Sequence, residues 1–128
     1  KGGIEVQIIM PHIPDKPYAF YLAKTYYEEL IAGGVQIYEY TPGFVHAKVF
    51  TSDDDTATVG SINLDYRSLY LHFECGVFIY RNQVVRDIEK DFQDTLAKCQ
   101  KVTMTEVKNR STFVKIYGQV LRLVAPLM

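Results

Sequence analysis

Val45-His46-Ala47-Lys48-Val49-Phe50-Thr51, the acidic turn Asp53-Asp54-Asp55 and then Thr56-Ala57-Thr58-Val59-Gly60-Ser61-Ile62-Asn63 make up the stretch that decides the fold. Both flanks have the β-branched content of strands, and the aspartates between them mark a turn, so the stretch predicts two consecutive strands. Side chains two apart in a strand share a face. His46, Lys48 and Phe50 are therefore expected on one side, with Val45, Ala47 and Val49 on the other. The second strand, Thr56 to Gly60, delivers Ser61 and Asn63, again two apart. Gly60, without a side chain, permits close approach of a ligand or a neighbouring strand.

These residue types suit one chemistry. A phosphoryl group needs cationic and hydrogen-bonding donors around its oxygens, and Lys48, Asn63 and the Ser61 hydroxyl supply them. The His46 imidazole can serve as a nucleophile or as a proton carrier near neutral pH. Taken singly, a strand histidine and a strand lysine are ordinary surface residues. Their joint spacing, H-x-K-x₄-D-x₆-G-S-x-N, is what carries the signal. Asp53 stands at the start of a turn, where aspartate bonds its own backbone, and is read as shaping the motif rather than reacting.

Residues 71–80 read as a third strand, with Leu71, Phe73, Cys75, Val77 and Ile79 on an apolar face. Glu74 falls on the other face with His72, Gly76 and Phe78. A carboxylate there can accept from one ring nitrogen of His46, fixing its tautomer and stabilising the imidazolium. His72 is read as a strand residue, and His12, in a proline-rich loop, as no ligand.

The spacing resembles the HKD motif of the phospholipase D superfamily, in which a glutamate follows the motif histidine at a similar distance. The likeness runs over most of the chain. Pro14-Asp15-Lys16-Pro17, the run from Ile37 through Lys48, Asn63-Leu64-Asp65-Tyr66-Arg67-Ser68 with Phe73-Glu74, and the ending from Leu121 to Met128 are similar to the C-terminal catalytic half of bacterial cardiolipin synthases. Ser61 stands where many members have threonine, which offers the same hydroxyl. Leu64 and Tyr66 vary at tolerant places.

The resemblance implies a catalytic set of His46, Lys48, Asp53 and Glu74, with Lys48, Ser61 and Asn63 binding the substrate phosphate. It implies no cofactor and no metal. In the superfamily two HKD motifs form one site, so His46, in what resembles the second motif, would be general acid and base, with the nucleophile in the other half; the reverse assignment stays open. The implied reaction moves a phosphatidyl group between phosphatidylglycerol molecules to make cardiolipin. The implied partners are that phospholipid, the other HKD half and, through the parent protein, a bacterial cell membrane, with the domain peripheral on its cytoplasmic face. Two other readings are a homodimeric phosphodiesterase of the same superfamily and a non-catalytic half that binds anionic phosphate.

Composition bounds the rest. With 128 residues, 48% of them hydrophobic, the chain is expected to form a single domain over residues 1–128 with a sizeable core. A net charge of -1 argues against a dedicated nucleic-acid binder. Cys75 and Cys99 have no metal-ligand spacing and imply no disulfide framework. No apolar run reaches the roughly 18 residues needed to span a bilayer. A start at Lys1 and the lack of a signal peptide read as a piece of a longer protein, whose remainder would hold membrane helices and the other catalytic half.

The expected organisation is α/β, a mixed β-sheet flanked by helices on both faces. Residues 3–10 read as a buried strand, residues 18–32 as a helix ended by Gly33-Gly34, and residues 35–40 as the next strand. Asn82 is the expected N-cap of a helix with Val85, Ile88, Phe92, Leu96 and Cys99 inward. A last helix is expected to bury Phe113, Ile116, Tyr117, Val120 and Leu123. Of the ten tyrosines, Tyr26, Tyr27, Tyr38 and Tyr40 sit at core or near-core spacing; Tyr40 and Phe44 are also candidates for a substrate rim.

Overall fold

The computed structural model describes residues 2–125. They divide into two compact units, residues 2–45 with Lys98–Ala125, and His46–Ala97. The α/β class is as the sequence leads one to expect, with helices and six strands interspersed along the described chain. The strands form two three-stranded sheets, one mixed and one antiparallel.

In the first unit, strands β1 (Gln7–Pro11) and β2 (Gln36–Tyr40) pair in parallel, and β6 (Cys99–Lys101) adds antiparallel to β2. Helices α1 (Pro17–Thr25) and α2 (Tyr27–Ala32) connect β1 to β2. The single helix expected over residues 18–32 is broken at Tyr26. The Thr25 hydroxyl donates to the Leu22 carbonyl at 2.6 Å, the group that an uninterrupted helix would offer to the Tyr26 amide. That amide turns to Ala23 instead, at 3.1 Å. Gly34, at φ 97°, then reverses the chain as the Val35 amide bonds back to Leu30. The first strand also begins later than expected, at Gln7, because Gln36 is its first partner on β2.

The core of this unit is Tyr27, Ile37, Val102 and Val107, with Met10, Leu30, Ile31 and Val35 packed against it. Helix α4 (Met104–Lys108) is held by a capping box in which Thr103 and Glu106 satisfy each other's backbone amides. The helix α5 (Thr112–Val124) corrects the sequence reading. Phe113 and Leu123 are 79% and 82% exposed, and Ile116, Tyr117 and Val120 are exposed as well. Its buried residues are Gly118 and Leu121, with Ala125 buried just past its end. A Cβ at Gly118 would lie 2.4 Å from Thr25 Cγ2, so α5 meets α1 through the residue that has no side chain.

An ion cluster in this unit is centred on one buried carboxylate. Glu39, only 7% exposed, meets His12 Nδ1 at 2.8 Å and Lys24 Nζ at 2.9 Å. Burial alone would raise the Glu39 carboxyl; the hydrogen bonds from His12 and Lys24 outweigh it and hold the group below the usual carboxylate range. Burial and the neighbouring Glu39 charge push the Tyr27 phenol upward. A carboxyl that is lower when folded contributes stability above its unfolded value, and that stability is lost as pH falls through the folded value. The gap in thermal midpoint between wild type and Glu39→Gln should therefore be widest near neutrality and close below pH ~4. A gap unchanged down that acid range would mean that the ion cluster contributes nothing as a charge.

In the second unit, β3 (Val49–Ser52), β4 (Thr56–Gly60) and β5 (Gly76–Tyr80) form an antiparallel meander. Asp53 and Asp54 take φ of 53° and 58° in the β3–β4 turn, a conformation aspartate tolerates better than most residues. Helix α3 (Gln83–Leu96) begins at Asn82, whose side chain accepts from the Val84 amide as expected of an N-cap. It packs on all three strands, with Val85 buried and Ile88, Phe92 and Leu96 half-buried. Cys99 falls past its end, on β6. Thr51 donates to Glu89 at 2.7 Å, which marks the sheet face that α3 covers. On the opposite face Phe50, Phe78 and Tyr80 are exposed.

The third strand is shorter than the sequence implied. Arg67–Leu71 forms a π-helical turn, closed by the His72 amide on the Arg67 carbonyl at 2.8 Å. Leu71 and Phe73 therefore do not face inward from a strand, and both are exposed along with Val77. Pro126, Leu127 and Met128, part of the family-like ending, lie outside the described residues.

Candidate functional site

The antiparallel sheet ends where the site begins. The register places Gly60 opposite Gly76, and one further backbone bond ties the Gly60 amide to the Lys48 carbonyl at 3.2 Å. On the other side the Ser61 amide bonds Cys75 O at 2.9 Å. His46 lies before the last of these rungs, so it precedes β3 rather than standing on it, contrary to the strand expected over residues 45–51. Glu74 likewise precedes β5. His46 and Lys48 enter from the start of β3, Ser61 and Asn63 leave from the end of β4, and Glu74 approaches the start of β5. All five belong to one end of one sheet.

The glycine at this end has a geometric cause. A Cβ on Gly60 would stand 2.3 Å from Cys75 O and 2.6 Å from Gly76 Cα, both backbone atoms. Only glycine lets β5 run this close, and that closeness brings Ser61 to Glu74. The Ser61 hydroxyl donates to Glu74 Oε2, and Ser61 Oγ accepts from the Cys75 amide at 3.1 Å.

Lys48 Nζ lies 2.9 Å from the His46 ring nitrogens and 2.9 Å from the His46 carbonyl. An ammonium has only donors, so the ring nitrogen facing it accepts. The Glu74 carboxyl is held below its ordinary value, first by the Ser61 hydroxyl, then by the Ser68 hydroxyl, with His72 and Lys48 adding favourable charge. Ser61 is thus the hydrogen-bonded partner of Glu74, a contact that sequence spacing did not reveal.

Asn63 Nδ2 is 3.4 Å from Ser68 Oγ, and the Ser68 amide donates to Asp65 Oδ1 at 2.7 Å. In the sequence Ser68 stands out only as the end of the family-like run from Asn63. Its burial inside an otherwise exposed turn is the signal that marks it. Asp53 stays in the hairpin turn, where Ser52 Oγ donates to its carboxylate at 3.2 Å. His12, read as no ligand, is the partner of Glu39 in the first unit. Among the described residues no group of three or more His, Cys, Asp or Glu is arranged to hold a metal ion.

The profile of the family described as "Cardiolipin synthase, PLD-like domain" matches residues 1–96. The chain belongs to that family. Similar proteins include a cardiolipin synthase of Clostridium perfringens, 39% identical over 127 residues, which covers 99% of this chain and 27% of that protein. A cardiolipin synthase of Halalkalibacterium halodurans is 36% identical over 127 residues, 99% of this chain and 25% of that protein. A Streptococcus mutans protein described as uncharacterized is 52% identical over 126 residues, 98% of this chain and 27% of its own length. The chain thus spans about a quarter of the length of these relatives. The matched residues include the stretch from His46 to Glu74. Among the described residues no helix is long and apolar enough to cross a membrane.

Proposed function

We propose that this chain supplies one HKD half of a phosphatidyltransferase that makes cardiolipin from phosphatidylglycerol. The observation that carries the reading is the gathering of His46, Lys48, Ser61, Asn63 and Glu74 at one end of the antiparallel sheet. Lys48, Asn63 and Ser61 bind the phosphoryl oxygens and stabilise the charge that builds on them during displacement. A histidine from the other half attacks phosphorus and expels glycerol, whose oxygen takes a proton from His46. A second phosphatidylglycerol then gives a hydroxyl proton back to His46 as its oxygen displaces the enzyme histidine. Two phosphatidylglycerols become one cardiolipin and one glycerol, and the enzyme returns unchanged. Three donors already cover the phosphoryl oxygens, so the reaction runs without a divalent cation.

The relatives named cardiolipin synthase, about four times as long, support a second half elsewhere in the complete protein. The exposed Phe50, Phe73, Val77 and Phe78 support further protein against the second unit. The substrate is a membrane lipid, so the domain works at a bacterial membrane surface, on its cytoplasmic face. The test is phosphatidyl transfer on phosphatidylglycerol vesicles by this chain alone, and by this chain co-produced with the remainder of the protein. Cardiolipin is expected only from the combination. Turnover by the chain alone, with a dimer mass in solution, would replace the two-half reading with a symmetric pair of His46 sites.

A further inference from the structure

Five apolar side chains of α5 lie outside the core that its periodicity predicts for them. Phe113, Ile116, Tyr117, Val120 and Leu123 recur at helical spacing along one side, and all are exposed. Gly118 and Leu121, on another side, are the residues that the unit buries. Charge is divided as sharply along the chain. Residues 107–128 contain Lys108, Arg110, Lys115 and Arg122 and no aspartate or glutamate, so a net charge of -1 is +4 here and -5 elsewhere. Arg122 is 3.4 Å from Glu29, and Arg110 stacks on Tyr27 and donates to the Lys24 carbonyl. Lys108 and Lys115 are exposed, and among the described residues neither forms an ion pair with a carboxylate. Lys115 Nζ donates to the Lys108 carbonyl at 2.7 Å, which keeps both lysines near the start of α5.

We propose that α5 docks its unit on an anionic lipid surface, with the side of Phe113 and Leu123 in the acyl boundary and Lys108 and Lys115 among the phosphates. The inference rests on the reading of the substrate as phosphatidylglycerol, which gives that surface its negative charge. At 13 residues α5 is about 20 Å long, too short for a hydrocarbon core of about 30 Å, so it lies along the surface rather than across it. A basic, aromatic-bearing amphipathic helix with its apolar side free has the form of an interfacial anchor. Burial of the apolar side supplies the adhesion, and the two lysines select for negative headgroups. An acidic protein surface would satisfy the same lysines, and the experiment separates the two.

The experiment is co-sedimentation of this chain with phosphatidylglycerol and with phosphatidylcholine vesicles, at low and high salt. Binding is expected to be at least about 10-fold tighter to phosphatidylglycerol and to weaken as salt screens the charge. Phe113→Ser combined with Leu123→Ser should melt like wild type, because both side chains are exposed, and bind at least about 10-fold more weakly. Lys108→Ala combined with Lys115→Ala should cost about 10–30-fold at low salt and little at high salt. The chain has no tryptophan, so Leu123→Trp should emit at shorter wavelength once phosphatidylglycerol vesicles are added. No binding by the wild-type chain, equal binding to both lipids, or unchanged binding by the folded serine variant would overturn the proposal. So would a dimer that the serine substitutions dissociate, or failure of that variant to assemble with the remainder of the protein, since the face would then belong to a protein contact. Binding is read without turnover. Vesicle binding without transfer by the complete protein upholds the helix and defeats the transferase reading, and transfer without binding through α5 does the reverse.

Discussion

His46→Ala in the complete protein should remove roughly 10²–10⁴-fold of the transfer rate while leaving the fold intact. The imidazole is exposed and lies before β3, so truncation buries no cavity and breaks no strand pairing. Its contact with Lys48 is likewise at the surface, where such contacts contribute little to stability. Loss of rate without loss of melting temperature separates a reacting group from a structural one. A well-folded His46→Ala protein that keeps near-wild-type turnover would take the motif out of the mechanism.

Gly60→Ala should damage both stability and activity, and Gly76→Ala, its partner across the strands, should be mild. The new methyl at position 60 would overlap Cys75 O and Gly76 Cα, backbone atoms that cannot rotate away. β5 must then shift off β4, at a cost of about 1–3 kcal/mol or more. The same shift pulls Glu74 from Ser61, and a displacement near 1 Å in a catalytic arrangement can cost about 10²-fold in rate. At Gly76 the nearest atoms to a new Cβ are 3.6–3.7 Å away, ordinary contact distances. Thermal melting and transfer rates of the two variants decide this. Equal midpoints and rates for Gly60→Ala and Gly76→Ala would show that the close approach has no bearing on either.

The contrast between those glycines shows where sequence reading stops. Gly60 was legible as a point of close approach, and the extents of β4 and the Asn82 cap followed from local propensity and capping chemistry. The residue types of the site were legible too, because fixed spacing is a property of the chain itself. Where the strands end was not, because that depends on which partner is opposite. Lys48 and Glu74 leave the ladder only because Gly60 and Gly76 form its last paired row.

Two helical misreadings have equally local causes. The apolar period of residues 18–32 continues straight through Tyr26, but one threonine hydroxyl takes the carbonyl that would have carried the helix on. In α5 the largest apolar side chains set the expected inner face, whereas the close crossing with α1 selects Gly118. Periodicity reports hydrophobicity, and a helix crossing also weighs volume. The Asn63–Ser68 contact was hidden for a third reason. It needs the tight turn of Arg67–Leu71, which an extended reading of residues 71–80 does not contain.

The most direct test of phosphatidyl transfer at the His46 site is a product balance. The complete protein is given phosphatidylglycerol vesicles in excess EDTA, and cardiolipin and free glycerol are quantified over time, with His46→Ala alongside. The expected result is cardiolipin and glycerol in equal amounts, undiminished by the chelator and absent from the variant. Activity lost in EDTA and restored by Mg²⁺, or phosphatidylglycerol consumed without cardiolipin, would contradict it.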